Sequence, residues 1–230
     1  RERFALLKLD EAKLAPIVDL KSLFAPNTHA RSIDIAPLYD PAITIFAASV
    51  HSGEDIKVVE AFAVAKAARP DLHLIIAPRH PQKIDALLTS LGKNGLQYVQ
   101  FSKGQTRTRD TDITVADTLG DMSLWYPLAD LCFVGGSLLP IGGHTPFEPM
   151  QFETALIHGP HVTNFSDIYA QLDASGGAKL VANQDELAAY FCTYNPKDVS
   201  DMITAQRLVS GRQTDLKSLV QRITSHLPDA

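Results

Sequence analysis

Cysteine is nearly missing from this chain. Only Cys132 and Cys192 occur in 230 residues, far apart and in apolar or aromatic surroundings, so a disulfide framework or a zinc cluster is not expected and a reducing, cytoplasmic setting is. Long apolar runs are absent too. Nothing reaches the roughly 18 residues that a membrane span needs, and no signal-peptide pattern precedes the first expected helix. Lysine and arginine never gather into a dense run, and with a formal net charge of −5 no nucleic-acid partner is expected. Eight histidines are present, but none forms an i, i+4 pair or joins carboxylates at ligand spacing, so no metal site is expected. Ser137 lacks the G-x-S-x-G frame of a nucleophile elbow. There is no internal repeat and no low-complexity tract.

What is present is an ordinary globular composition, 45% apolar and 20% charged, enough for a full core in one large domain or two small ones. The chain opens on Arg1, which reads as a fragment or a processed product. Residues 1–14 have helical spacing at Phe4, Leu7 and Leu14, ended by Pro16. Residues 17–41 carry Pro26, Pro37 and Pro41 with little periodicity, a connector with a short strand near 17–20. The domain boundary is therefore placed at residue 40, with 1–40 the remnant of an interdomain region and 41–230 the main domain.

Beyond the connector the pattern alternates. Apolar or β-branched runs at 42–49, 72–77, 96–101, 113–116, 131–134, 155–158 and 178–181 read as strands, several of them covered on both faces. Helical patterns fall at 53–68, 81–91, 119–126, 146–152 and 166–172, with more helix near the carboxyl terminus. The expected fold is α/β, a Rossmann-like parallel sheet with helices on both faces. Ligands of such sheets bind beyond the carboxyl ends of the strands, which gives weight to the polar residues there.

The richest of these ends is Phe133-Val134-Gly135-Gly136-Ser137-Leu138-Leu139-Pro140-Ile141-Gly142-Gly143-His144-Thr145-Pro146-Phe147-Glu148-Pro149. A buried strand stops at a glycine pair, a second pair follows, and Thr145 with Pro146 resembles a helix start. Unpaired N–H groups in such a turn attract anions, so a phosphate or carboxylate seat is expected. The glycine spacing is neither a dinucleotide fingerprint nor a P-loop. His144 and Glu148 stand four apart, a possible phosphate donor and a carboxylate suited to a ribose diol. Glu148 also fits simply as an acid at a helix start.

Three other strand ends matter. Arg79 and His80 lie between Pro78 and Pro81, which holds them extended, and an arginine fixed there can make paired bonds to a phosphate or carboxylate; a surface ion pair is the plainer alternative. In Val50-His51-Ser52-Gly53-Glu54, Ser52 fits as a helix cap, Glu54 as a first-turn acid, and His51 either as a packing or as a cleft residue. Asn164 in Gly159-Pro160-His161-Val162-Thr163-Asn164 fits either as a cap of the next helix or as a cleft-facing side chain.

Together these motifs resemble the carboxyl-terminal half of the 3-deoxy-D-manno-octulosonic acid (Kdo) transferases of lipopolysaccharide synthesis. The resemblance rests on the loop 133–149, on Gly159 to Ile168, on Ala77-Pro78-Arg79-His80-Pro81, on Ser49-Val50-His51-Ser52-Gly53-Glu54 and, more weakly, on Val18-Asp19-Leu20-Lys21-Ser22. It implies the donor-binding half of a GT-B glycosyltransferase that transfers Kdo from CMP-Kdo to a lipid A precursor at the cytoplasmic face of the bacterial inner membrane. The catalytic base and the acceptor and membrane contacts would belong to the other half, and no cofactor or metal is implied. Carried over by motif, Gly136, Ser137, Gly142, Gly143 and His144 would hold the CMP phosphate or the Kdo carboxylate, Glu148 would take the ribose, Arg79 and His80 would complete the donor pocket, and Asn164 and His51 would line the cleft, with Thr145 and Lys21 also counted among the substrate-binding residues. Thr145 stands where the family usually has Asn, Glu153 and Ala155 replace Gly and Pro, and Asp19 replaces Asn. A GT-B transferase or epimerase using a UDP-sugar, and a non-enzymatic module binding a partner through the cleft, are the alternatives.

Overall fold

β1, Ile43–Val50, carries Ile43, Ile45, Phe46 and Val50 among small residues and is buried along most of its length. It is the central strand because both of its edges and both of its faces have something apolar to meet. The structure, a computed structural model, describes residues 35–39, 43–210 and the positions 220, 221, 224 and 225. The expected helix at 1–14, the strand near 17–20, Lys21 and most of the connector lie outside the described residues.

The sheet has seven strands in the order β3-β4-β2-β1-β5-β6-β7. The others are β2, Leu72–Pro78; β3, Tyr98–Gln100; β4, Ile113–Val115; β5, Leu131–Val134; β6, Ala155–His158; and β7, Ala178–Leu180. Every pairing is parallel. β2, β5 and β6 are buried at every position, which is why they read as continuous apolar runs rather than alternating ones.

Helices α1, Glu54–Ala68, α2, Asp85–Lys93, and α6, Gln184–Thr193, cover one face. Their core unites Ile45, Phe62, Leu74, Phe133 and Phe191. On the other face lie α3, Met122–Trp125, α4, Phe147–Gln151, and α5, Ser166–Ser175, while α7, Pro196–Ser210, gives Met202 to the first core and Val209 to the second. There Phe46, Ile75, Trp125, Cys132 and Tyr169 pack together. Neighbouring positions of β1, Ile45 and Phe46, thus serve opposite cores, as the two-residue pleat requires. Full burial of each such side chain is worth about 1.5–3 kcal/mol.

The expected α/β fold is what forms, with shorter elements at several boundaries. The strand expected at 96–101 keeps only Tyr98–Gln100, because Phe101–Lys103 turns into a 3-10 helix closed by Gly104 in a left-handed conformation. The helix expected from Pro81 begins at Asp85, since the chain leaving Pro78 stays extended and then turns, with Lys83 N–H donating to the His80 carbonyl at 2.9 Å. The segment expected as helix over 119–126 holds a single turn before Tyr126–Leu128 tightens to 3-10 geometry.

The sheet order reverses at β1. Chain from β1 moves outward to β2, and the later strands start again on the opposite edge at β5. The loops leaving β1 and β5 therefore diverge and leave a crevice at their carboxyl ends. Ser49 sits there at φ 55, where the β1–β2 register slips between Ala47 and Val50. Gly135 passes so close that an added Cβ would lie 2.5 Å from the Ser49 carbonyl oxygen and 2.7 Å from that of Ala48. Only glycine fits such an approach.

Candidate functional site

The turn after β1 is organised by acids rather than by Ser52. Gly53 occupies the cap position of α1 at φ 89 with no side-chain cap, and Ser52 is exposed, so the expected serine cap does not form. Instead Asp55 Oδ1 accepts from the N–H groups of Gly53 and Ile56, each at 2.8 Å. Burial pushes the Asp55 carboxyl above its usual range, against the lowering effect of those bonds.

Glu54 does something the sequence reading assigned to a ligand. Its carboxylate is fully buried and accepts from the N–H of Gly136 at 2.6 Å, of Ser137 at 2.9 Å and of Leu138 at 2.9 Å. The N–H of His51 adds a fourth bond at 3.2 Å. A turn of converging amides is an anion seat, and here the protein's own glutamate fills it. The expectation that the Gly136 and Ser137 amides face an incoming phosphate is corrected accordingly. Ser137 is also fully buried: its hydroxyl donates to Val134 O at 2.6 Å and accepts from Gly159 N–H at 2.8 Å, so it joins the loops after β5 and β6.

The second glycine pair folds back on the first. Gly143 N–H donates to Gly136 O at 2.8 Å and His144 N–H to Gly135 O at 3.1 Å. Asn164 closes the loop from outside, donating from its backbone N–H to Gly142 O at 2.9 Å and from Nδ2 to Gly143 O at 3.3 Å. It does not cap α5, whose cap position is Phe165 without a side-chain bond. Thr145 is likewise not a well-formed cap. Pro146 takes the cap position of α4, and Thr145 Oγ1 meets the Phe147 N–H only at 3.4 Å.

Side chains, not amides, present themselves at the rim. His51 and His144 approach Nε2 to Nε2 at 2.9 Å, with ring centroids 5.1 Å apart and planes 10° from parallel. His80 lies edge-on to His51 at 6.0 Å. Arg79 is exposed, and its backbone N–H donates to Val50 O at 2.8 Å, which fixes the end of β2 beside that of β1. Burial lowers the His51 pKa, the Glu54 carboxylate opposes this, and His80 and Arg79 reinforce it. Tyr169 holds the other end of the loop, its hydroxyl donating to His144 O at 3.0 Å.

Glu148 is half-buried in α4 and accepts from the Tyr126 hydroxyl at 3.4 Å. Burial drives the Tyr126 pKa well up, with Cys132 and Glu148 adding to it. Arg79, His80, His51, the loop carrying Gly142, Gly143 and His144, and Asn164 thus meet along the carboxyl ends of β2, β1, β5 and β6. Sequence reasoning missed two residues. Glu54 was legible only as a first-turn acid, and Gly159, whose added Cβ would fall 2.2 Å from Ser137 O, showed itself only as a Gly-Pro pair. Among the described residues no His, Cys, Asp and Glu cluster is arranged to hold a metal, and no helix is long and apolar enough to cross a membrane.

No protein-family model matches the chain. It is 36% identical over 126 residues to the 3-deoxy-D-manno-octulosonic acid transferase of Haemophilus influenzae, a match covering 55% of this chain and 30% of that protein. The chain spans about a third of the length of the curated relatives it matches first. Among solved structures it resembles the C-terminal CMP-Kdo binding domain of WaaA from Acinetobacter baumannii, with 26% identity and a TM-score of 0.75, covering 79% of this chain and 97% of that one. It also shares a fold with Alr3699/HepE of Anabaena, solved with UDP and glucose, at 13% identity and a TM-score of 0.60, over 84% of this chain and 51% of that one. The domain is a Rossmann-like half of the GT-B glycosyltransferase architecture.

Proposed function

We propose that the chain is the carboxyl-terminal half of a Kdo transferase, to which it is similar in sequence and in fold, that its crevice binds CMP-Kdo, and that it serves as the donor side of an enzyme transferring Kdo to a lipid A precursor. What supports this most is the gathering of Arg79, His80, His51 and His144 at the switch point of the sheet. Arg79 supplies a permanent cation with paired donors for the phosphate or the sugar carboxylate. His80 and the His51–His144 pair add donors around the same anion. Glu148, at the start of α4, takes the ribose hydroxyls. The glycine loop acts as their frame, since its amides at 136–138 are engaged by Glu54.

In the transfer, the bond from the anomeric carbon to the phosphate oxygen breaks, and CMP leaves with the electron pair. Fixed donors around that phosphate stabilise the charge that develops. The acceptor hydroxyl adds to the anomeric carbon and yields its proton to a base on the other half. No cofactor enters this scheme. The acceptor and the cytoplasmic membrane face would be engaged by the same partner half.

Calorimetry of the 230-residue chain with CMP and with UDP tests the proposal. CMP is expected to bind and UDP to bind more weakly, and Arg79→Ala or Glu148→Ala is expected to cost about 10- to 100-fold in affinity, the loss of a charge-assisted hydrogen bond. No heat with millimolar CMP, or unchanged affinity in both variants, would refute the site. A preference for UDP would redirect the assignment to a uridine-nucleotide transferase.

A further inference from the structure

Two imidazoles can share a hydrogen bond between their Nε2 atoms only when one nitrogen carries a proton and the other is bare. His51 and His144 stand in that relation at 2.9 Å. A neutral pair satisfies it. A singly charged pair also satisfies it, because the accepting ring can keep its own proton on Nδ1. A second added proton sets N–H against N–H and breaks the bond. The pair therefore has room for one positive charge and no more.

The surroundings set which state is favoured. On the α1 side, Glu54 accepts from the His51 backbone N–H at 3.2 Å and favours the cation, while Asp55 is engaged with Gly53 and Ile56. From the end of β2, His80 lies edge-on at 6.0 Å and Arg79 adds fixed positive charge, and both oppose the cation. On the His144 side the carbonyl takes the Tyr169 hydroxyl. Burial, the largest influence on His51, leans the pair toward neutrality. An anion docking against Arg79 reverses that balance, since it offsets the repulsion and attracts a cation into the pair.

We propose that His51 and His144 act as one proton-sharing unit that takes up a single proton when the anionic group of the ligand docks, so that occupancy of the crevice is linked to one proton. This rests on the cytidine-nucleotide reading of the site. It gives the pair a defined part in the transfer. A diester donor carries one phosphate charge and the departing CMP carries one more, and the imidazolium matches that added charge without giving up its proton.

The test uses the methyl ester of CMP, a diester that does not titrate near neutrality, bound to the 230-residue chain in two buffers of different ionisation enthalpy at equal ionic strength. Apparent enthalpies are expected to differ by an uptake of up to one proton per ligand. The Kd is expected to rise by up to about tenfold per pH unit on the alkaline side of the pair's titration. His51→Gln and His144→Gln are each expected to remove the buffer dependence from whatever binding remains. In the ligand-free protein, nitrogen chemical shifts of the two imidazoles are expected to titrate as a coupled pair, with His144 shifting its midpoint in the His51→Gln variant. Binding with equal enthalpies in both buffers, or independent titration of the two rings, overturns the inference and leaves the nucleotide site standing. Absence of any binding while the rings titrate as a pair defeats the nucleotide reading and the linkage together.

Discussion

Replacing Glu54 tests how the crevice is built. Its carboxylate serves four backbone donors, with Oε1 on Ser137 and Leu138 and Oε2 on Gly136 and His51. Glu54→Gln preserves the shape but turns one of those oxygens into an NH2. If the remaining oxygen stays on Ser137 and Leu138, the new NH2 faces the N–H groups of Gly136 and His51, and two donors lose their acceptor. At about 1–3 kcal/mol for each group left unpaired, the expected cost is roughly 2–6 kcal/mol. Glu54→Ala removes all four acceptors and vacates the seat.

Urea unfolding gives the measure, as a lower midpoint with an unchanged slope. For the alanine variant, sodium formate provides a second reading, because a small carboxylate can occupy the emptied amides. Formate at ten times its dissociation constant is expected to return about 1.4 kcal/mol, while the wild type, whose seat is filled, gains nothing comparable. Wild-type stability in Glu54→Gln would refute the reasoning. So would formate that stabilises the wild type as much as the alanine variant.

Three further outcomes are expected. Gly142→Ala places a Cβ 2.6 Å from Asn164 Nδ2 at φ +110 and should destabilise by about 1–3 kcal/mol from backbone strain alone; in urea unfolding the added Asn164→Ala should relieve the clash but not the strain, and a double variant no better than the single one would sink that account. Gly135→Ala sets a Cβ against the carbonyl oxygens of Ser49 and Ala48, neither of which can move without opening β1, so a loss above about 4 kcal/mol is expected by thermal or urea unfolding, and a loss below about 1 kcal/mol would contradict the close approach. Burial and Arg107 hold the His73 pKa down at about 3, against an ordinary value of 6.5, so the fold prefers the neutral ring. Stability from this group is present above pH 6.5 and is lost as pH falls toward 3, with a slope of up to about 1.4 kcal/mol per pH unit; His73→Gln should flatten the acid limb of the stability profile, and an unchanged limb would refute the assignment.

The parts of the fold that were legible in the sequence were those specified by local pattern. β1, β2, β5 and β6 were visible as apolar runs because each is buried on both faces. Strand order was not legible, since β1 pairs with β5 across more than eighty residues and no local signal marks that choice. The rule about strand ends singled out residues that the fold brings together, His51 with His80 and His144 and, beside them, Arg79. The roles of several residues did not follow. A glutamate in a first turn has a sufficient local reason to be there, yet Glu54 reaches amides 82 to 84 residues away. Asn164 precedes a helix and so resembled a cap, but the carbonyls of Gly142 and Gly143 were the better-placed partners. Ser137 follows a glycine pair like a ligand contact, and only its burial and its bonds to Val134 and Gly159 show that it joins two loops.

The filled amide seat changes what kind of site this is. A glycine loop that offers bare N–H groups holds an anion with fixed dipoles, largely independent of pH, and a long helix behind it would add to that field. Here the amides at 136–138 already hold Glu54, and α4 is only five residues long, too short to contribute much. The positive character of the crevice then comes from side chains, the permanent cation of Arg79 at the end of β2 and the proton-sharing pair of His51 and His144. Arg79 is exposed, so ligand affinity in this crevice should depend on salt through the arginine and on pH through the histidine pair. The rigid loop sets where these groups stand. Its buried glutamate, the close pass of Gly135 over β1 and the Asn164 clasp fix the backbone under His144, and so determine whether the His51 and His144 rings can meet at all.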